Sequence, residues 1–166
     1  FGQKIKKVKA IFGGEVTLHF LFPRDYYLCD EAMFASLKLA EIASGQPDFA
    51  THIDSLPRYP SSPEVFVSCP DEEKFIIVKR LQEYLKKNKY DFIDVDGARI
   101  NFPKGWALLR AANTTPYLKM RFEADTPEHL IETEEQALEI FKKVGIPITH
   151  QTYQELDIDA DGLSLV

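Results

Sequence analysis

The spacing of hydrophobic residues in the first third of the chain predicts one strand followed by one helix. Residues 15–22 (EVTLHFLF) alternate between apolar and polar positions well enough to form a strand. Over residues 30–44 the apolar positions recur at helical spacing, with Asp30 as the expected N-cap and Gly45 as the expected C-cap. One strand and one helix cannot enclose a hydrophobic core by themselves.

Prolines at positions 47, 57, 60 and 63 mark the best boundary in the chain, with a short helix predicted among them at residues 48–55. The pattern beyond it predicts a strand (64–68), a helix (70–87), four strands (92–95, 98–102, 106–111 and 117–124) and a last helix (126–144). This order predicts an α+β fold, an antiparallel four- to five-stranded sheet with two helices on one face. Such a segment can fold alone.

Three turns separate the predicted strands of this second region. The Asp96–Gly97 pair lies between two alternating runs and is a strong hairpin signal, and Lys104–Gly105 forms the next turn. The third turn, RAANTTP at residues 110–116, carries more polar side chains than a turn needs.

The composition indicates a globular protein, with 45% apolar and 28% charged residues. A net charge of −6 argues against nucleic acid as the main partner, because binding to phosphates needs a broad basic surface. The basic cluster of Lys4, Lys6, Lys7 and Lys9 is interpreted as the solvated face of a terminal helix. No apolar run is long enough for a membrane span, so no membrane partner is expected.

The two cysteines, Cys29 and Cys69, have no metal-like spacing and are too few for a disulfide framework. Both are predicted to be buried thiols, and a cytoplasmic location is the default expectation. The chain starts with Phe1 and has no signal-peptide pattern, so we expect a fragment of a longer protein.

No metal site is expected within this chain. The sequence DIDADG at residues 157–162 matches the start of a calcium loop, but the position for the bidentate glutamate lies beyond the last residue. We interpret residues 149–166 as an acidic tail. The four histidines show no zinc-like spacing.

Two groups of polar residues could form binding sites. Glu15, Thr17 and His19 place a carboxylate, a hydroxyl and an imidazole near one strand edge, where they could bind a polyol, relay a proton or simply be solvated.

The second group belongs to RAANTTP. Arg110, Asn113 and Thr114, with the backbone N–H groups of a tight loop, supply the donors that a phosphate dianion needs. The alternative is a turn whose Asn and Thr side chains satisfy their own backbone and whose arginine pairs with an acid.

Two blocks of the sequence together resemble a known family. GGEVTLHFLF and DGARINFPKGWALLRAANTTPYLKMRFEADT are similar to the C-terminal part of the α-D-phosphohexomutases of the bacterial phosphomannomutase/phosphoglucomutase group. The similarity runs from about residue 5 to about residue 145.

The resemblance implies an enzyme that interconverts hexose 1-phosphate and hexose 6-phosphate through a hexose 1,6-bisphosphate. Enzymes of this family have four domains around a cleft, with a phosphoserine loop in the first and a Mg²⁺-binding loop in the second. Residues 1–58 would then be the end of the α/β domain three, and residues 59–148 would be domain four, whose fold resembles TATA-binding protein. Without its sheet neighbours, the domain-three part should expose an apolar surface.

The resemblance also assigns roles to residues. Glu15 and Thr17 match the sugar-binding loop, and His19 matches a histidine near the reacting groups, a possible proton relay. Arg110, Asn113 and Thr114 match the loop that holds the substrate phosphate.

The chain departs from the family pattern in several places. Leu18 replaces a glycine of the sugar loop, and Ala112 replaces a common serine of the phosphate loop. Neither the phosphoserine loop nor the Mg²⁺ loop occurs in these residues, so the chain alone should be inactive and should need the N-terminal mutase domains as partners. The alternative is a stand-alone, non-catalytic module that binds phosphosugars or other anions.

Overall fold

The computed structural model of the protein describes residues 2–15 and 18–149, together with the single residues 152, 154 and 156. The chain divides into two compact units, Phe1–Pro57 and Arg58–Val166. The first unit contains α1 (Gly2–Val8), β1 (Gly13–Gly14), β2 (Phe20–Leu21), α2 (Ala32–Ser44) and α3 (Phe49–Asp54). The second contains β3 (Val65–Ser68), α4 (Asp71–Lys87), β4 (Phe92–Ile93), β5 (Ala98–Asn101), β6 (Gly105–Ala111), β7 (Tyr117–Ala124) and α5 (Pro127–Lys143).

The first unit contains a short hairpin where the alternation predicted one strand over residues 15–22. β1 pairs with β2 in antiparallel register, Gly13 opposite Leu21 and Gly14 opposite Phe20. The chain therefore reverses before residue 20, and the prediction of a single strand is wrong. The alternation of Phe20 and Phe22 is explained by ring packing instead of by a continuous strand. Their rings lie 6.0 and 5.1 Å from the ring of Phe12.

The start of α2 also differs from the prediction. Glu31 is the N-cap, and its carboxylate accepts hydrogen bonds from the backbone N–H groups of Met33 and Phe34 at 3.2 and 2.6 Å. The prediction that Asp30 caps this helix is wrong, because the Asp30 carboxylate binds the His19 ring and the Phe20 N–H instead. Gly45 is the C-cap, as predicted.

Most of the described residues of the first unit are exposed. Ile5 and Leu21 are its only buried hydrophobic residues in the described part of the chain, and α2 buries none of its residues. Phe12, Phe20 and Phe22 line an apolar groove of 410 Å³ together with residues of α2. The predicted apolar surface is thus confirmed, as is the solvated position of the lysines around α1.

The second unit is a five-stranded antiparallel sheet in the order β3-β7-β6-β5-β4, with α4 and α5 packed on one face. Alternate strand residues point into the core, as the burial pattern of β7 shows. Phe122 of β7 and Phe141 of α5 are both fully buried, with ring centroids 6.4 Å apart. The predicted α+β fold with two helices is confirmed.

Local signals end the elements of this unit where the sequence predicts. Thr126 caps α5 and accepts a hydrogen bond from the N–H of His129 at 3.3 Å, and Gly145 follows α5 with φ of +79°. Gly97 has φ of +105°, and a Cβ atom there would lie 2.3 Å from the carbonyl oxygen of Leu109 and 2.7 Å from Cβ of Arg110. Only glycine fits this turn, which brings the β4–β5 hairpin against Arg110.

The two cysteines differ in burial. Cys69 is buried, as predicted, whereas Cys29 is exposed and the prediction for it is wrong. Cys29 lies in the loop before α2, within the unit that has almost no core of its own.

The end of the chain is described only in part. Thr152 and Leu156 are buried, and Leu156 joins the core of the second unit. His150 and the predicted calcium-loop start at residues 157–162 lie outside the described residues. Within the described part of the chain, no helix is long and apolar enough to cross a membrane.

Candidate functional site

The 110–116 loop connects the two longest strands of the sheet, β6 and β7. The Ala112 N–H donates to the carbonyl oxygen of Tyr117 at 2.9 Å, and the Tyr117 N–H donates to that of Thr115 at 2.8 Å. Residues 113–116 between them are exposed. The backbone N–H groups of residues 113–115 make no hydrogen bond to any residue that the structure describes. Three consecutive donors are therefore available to a ligand.

The polar side chains of this loop remain accessible as well. Arg110 keeps 39% of its side chain exposed, and its guanidinium lies 3.4 Å from the carboxylate of Asp96. An exposed pair at this distance contributes little stability, so a phosphate could compete for the guanidinium. The side chains of Asn113 and Thr114 have no hydrogen-bond partner among the described residues. These two side chains therefore do not satisfy the backbone of the loop, as the alternative interpretation required. The other part of that interpretation, the pairing of Arg110 with an acid, is found.

A buried lysine beneath this loop was missed in the sequence. Lys74 of α4 is only 2% exposed, and its ammonium donates to the carbonyl oxygen of Thr115 at 2.9 Å. It also pairs with the carboxylate of Asp71 at 2.6 Å. The sequence did contain a signal for its burial. Lys74 lies three and four residues before the buried Ile77 and Val78, on the apolar stripe of the helix.

Three polar side chains meet in the first unit. The Nδ1 atom of His19 is hydrogen-bonded to Asp30, and its Nε2 atom lies 3.8 Å from the carboxylate of Glu15. Glu15 and His19 were predicted as site residues, whereas Asp30 was assigned to a helix cap. Thr17, the third predicted residue of this group, lies outside the described residues.

The two carboxylates raise the pKa of His19 above its ordinary value. The largest cause is the hydrogen bond to Asp30, followed by the charge of Asp30 and, with a smaller effect, the charge of Glu15. The arrangement holds the Nδ1 side of the ring on Asp30 and favours the imidazolium form. Such a histidine can hold a proton at Nε2 for transfer or for hydrogen bonding to a hydroxyl.

Comparison with family models accounts for most of the chain. Residues 1–59 match the model described as "Phosphoglucomutase/phosphomannomutase, alpha/beta/alpha domain III". Residues 64–140 match "Phosphoglucomutase/phosphomannomutase, C-terminal domain". The chain belongs to the phosphoglucomutase/phosphomannomutase family.

Individual relatives in this family carry mutase names. The chain is 36% identical over 129 residues to a phosphomannomutase/phosphoglucomutase of Pseudomonas aeruginosa, which covers 77% of this chain and 28% of the relative. It is 36% identical over 126 residues to a phosphoglucomutase of Neisseria gonorrhoeae, which covers 74% and 27%. A probable phosphoglucosamine mutase of Methanothermobacter thermautotrophicus is 33% identical over 123 residues, covering 72% and 27%. The chain spans less than a third of the length of these relatives.

A solved structure shows the same fold. A phosphoglucomutase/phosphomannomutase family protein of Burkholderia thailandensis superposes with a TM-score of 0.76 at 24% identity, over 89% of this chain and 31% of that one.

The structure describes both residues that were predicted to depart from the family pattern, Leu18 and Ala112. Leu18 adopts φ of +65°, the left-handed region that glycine enters freely, and it is 74% exposed. This conformation costs a residue with a side chain some strain. Ala112 is 6% exposed and contributes its N–H to the turn but no hydroxyl.

The described residues do not form a metal centre. No group of three or more His, Cys, Asp or Glu side chains in this part of the chain is placed to hold a metal ion. No Mg²⁺ site is therefore assigned within the described part of the chain, and no chemical step is assigned to a metal.

Proposed function

We propose that this chain supplies substrate-binding loops to a phosphohexomutase that interconverts hexose 1-phosphate and hexose 6-phosphate through a hexose 1,6-bisphosphate. The proposal is supported by the family matches to both units and by the mutase names of the relatives. It assigns residues 1–58 to domain three, 59–148 to domain four and 149–166 to an acidic tail, in which the described residues Thr152 and Leu156 are buried.

The 110–116 loop carries the proposal. A phosphate dianion needs several donors in a small space. The loop presents the Arg110 guanidinium, the Asn113 amide and the Thr114 hydroxyl, and its backbone N–H groups at 113–115 have no partner among the described residues. A planar guanidinium can bind two phosphate oxygens at once. We assign Arg110, Asn113 and Thr114 to the phosphate that does not react.

The first unit contributes to the sugar end of the substrate in this proposal. Glu15 and Thr17 would bind sugar hydroxyls, Thr17 on the strength of its position in the sequence alone. His19, oriented by Asp30, would hold a proton at Nε2 near the reacting oxygen. Its raised pKa keeps that proton in place at higher pH than an ordinary histidine would.

Catalysis in this proposal needs groups that these 166 residues do not encode. A phosphoserine would supply the phosphoryl group and Mg²⁺ would neutralise its charge, both held by the N-terminal mutase domains. We therefore expect no mutase activity from the chain alone, and we propose a cytoplasmic enzyme as the parent.

The test of the phosphate assignment is a titration of the ¹⁵N-labelled chain with glucose 6-phosphate and with mannose 6-phosphate. Backbone shift changes should centre on residues 110–116. Arg110→Ala should weaken binding about 10- to 100-fold, because charge-assisted hydrogen bonds to phosphate are lost.

Arg24→Ala is the matched control, since Arg24 is also an exposed arginine paired with a neighbouring aspartate. It should leave the affinity unchanged. Unchanged spectra of the folded wild-type chain at millimolar sugar phosphate, or equal losses in both variants, would reject the assignment. In the complete parent, a fall of kcat/KM in Arg110→Ala distinguishes a mutase from a non-catalytic binding module.

A further inference from the structure

We propose that Lys74 is a positioning residue that orders the phosphate-binding loop for its ligand. The inference rests on the proposed function, because it concerns the same 110–116 loop. It is carried by the contact between the buried ammonium of Lys74 and the carbonyl oxygen of Thr115, 2.9 Å apart and 41 residues apart in sequence.

The position of Lys74 is not explained by stability. Moving an ammonium group out of water is costly, and the attraction to a partner rarely does more than offset that cost. The pair with Asp71 is half open to solvent, since Asp71 is 64% exposed while the Lys74 side chain is 3% exposed. An apolar side chain of similar length would fill the same space without this cost, so the cation serves another purpose.

That purpose is visible in what the ammonium binds. The loop is fixed at its first end by the hydrogen bond from Ala112 to Tyr117. At its other end two successive carbonyl oxygens are held, Thr115 by Lys74 and Pro116 by the backbone N–H of Cys69 at 2.9 Å.

Residues 113 and 114 lie between these fixed points, and they are two of the three residues assigned to the phosphate. A loop that is already ordered loses less conformational entropy when its ligand binds. Lys74 thus strengthens phosphate binding without touching the phosphate.

The experiment compares three variants of the full 166-residue chain by ¹⁵N relaxation without ligand and by titration with glucose 6-phosphate. Lys74→Met removes the ammonium at similar length. Lys79→Met is the matched control, an exposed lysine of the same helix. Lys74→Arg keeps a cationic donor.

In Lys74→Met the amides of residues 112–115 and 117 should become more mobile, and the dissociation constant for glucose 6-phosphate should rise about tenfold. The midpoint of urea unfolding should stay the same or rise. Lys79→Met should bind within about twofold of wild type, and Lys74→Arg within about threefold, because a guanidinium can also donate to the carbonyl.

The outcomes separate this inference from the function on which it rests. No binding by the folded wild-type chain rejects the phosphate-binding function and this role with it. Binding by wild type and by Lys74→Met with equal affinity overturns the role of Lys74 and leaves the function standing. If Lys74→Met does not fold, Lys74→Arg becomes the test of the inference. A tenfold loss of affinity in folded Lys74→Arg overturns it. Failure of both variants to fold overturns it as well.

Discussion

The two candidate loops of this chain are supported in different ways. The 110–116 loop joins strands of seven and eight residues and is held by Lys74 of α4 and by the backbone N–H of Cys69, just before α4. The hairpin of the first unit has strands of two residues each and turns through Leu18 in the left-handed region. The 110–116 loop thus belongs to a sheet with its own hydrophobic core, whereas the hairpin lies in a unit with few buried hydrophobic residues among those described.

This difference shows that the side chains of a loop and the packing that holds the loop in place are separate properties. Both loops carry side chains suited to a sugar phosphate, but only the second unit buries enough apolar surface to fix its loop without outside help. Experiments on the isolated chain should therefore report phosphate binding more faithfully than sugar binding.

The largest expected effect is the loss of unfolding free energy when an apolar side chain is shortened in each of the two units. Phe122→Ala should destabilise the second unit by about 3–5 kcal/mol, because it leaves a cavity beside Phe141. Leu37→Ala, at a position that is 67% exposed in α2, should change stability by less than about 0.5 kcal/mol. Urea unfolding is followed by the fluorescence of Trp106, the single tryptophan, which lies in β6 of the second unit, and by far-ultraviolet circular dichroism, which reports the helices of both units. Equal shifts of the unfolding midpoint in the two variants would contradict the comparison.

The second prediction concerns a buried acid in α5. Glu134 is 2% exposed, and burial, with the charge of Glu135 adding to it, raises its pKa to about 8 from 4.5. The folded state therefore holds a proton that the unfolded state releases, and stability should fall as the pH rises from 4.5 to about 8.

Glu134→Gln should remove this pH dependence and raise the free energy of unfolding at pH 7 by on the order of 2–3 kcal/mol. The matched control is Glu132→Gln, an exposed acid of the same helix, which should keep the wild-type profile. Parallel pH profiles for wild type and Glu134→Gln would show that this carboxyl is not desolvated.

A smaller effect is expected in the first unit, at the strained residue of the hairpin. Leu18→Gly should stabilise the turn by up to about 1 kcal/mol, because the left-handed conformation costs an L-residue that much. The Glu15 N–H, which donates to the carbonyl oxygen of His19 at 3.2 Å, should then exchange with solvent up to about fivefold more slowly. Leu18→Ala keeps the strain and should show no slowing, so an equal effect of both variants would assign it to the loss of side-chain bulk.

The smallest expected effect is on the titration of His19. Asp30→Asn should lower the pKa of His19 toward its ordinary value of 6.5, because it removes the first cause of the raised value. The raised pKa contributes stability below pH 6.5 that is lost as the pH rises through the folded value, and this contribution is small for an exposed ring. An NMR titration of the ring measures the shift. Asp25→Asn, whose carboxylate binds Arg24, is the control that should leave His19 unchanged.

The second unit could be predicted from sequence because its local signals agree with its tertiary structure. The Asp96–Gly97 turn, Thr126 before Pro127 and Gly145 each specify one element end, and each is found there. Agreement between local and global preferences is typical of a segment with its own core.

The first unit was harder to predict because its local signals compete. Alternation in EVTLHFLF fits a strand as well as the observed hairpin, since Phe20 and Phe22 are apolar for their contacts with Phe12. Asp30 is the favoured type of helix cap, yet Glu31 caps α2, because the Asp30 carboxylate binds His19 instead.

The candidate sites show the same limit. RAANTTP is contiguous, so its donors could be found in the sequence. The roles of Lys74 and Asp30 depend on contacts with residues 41 and 11 positions away, and no local pattern specifies those partners.

The two hydrogen bonds that hold the carbonyl oxygens of Thr115 and Pro116 differ in whether a substitution can remove them. Pro116 is held by the main-chain N–H of Cys69, which every residue except proline carries, so drift at position 69 leaves that bond intact. Thr115 is held by a side chain, so a single codon change at position 74 removes its anchor. Evolution can thus tune the stiffness of this loop from a distance, through a helix residue, while the residues proposed to bind the phosphate stay the same.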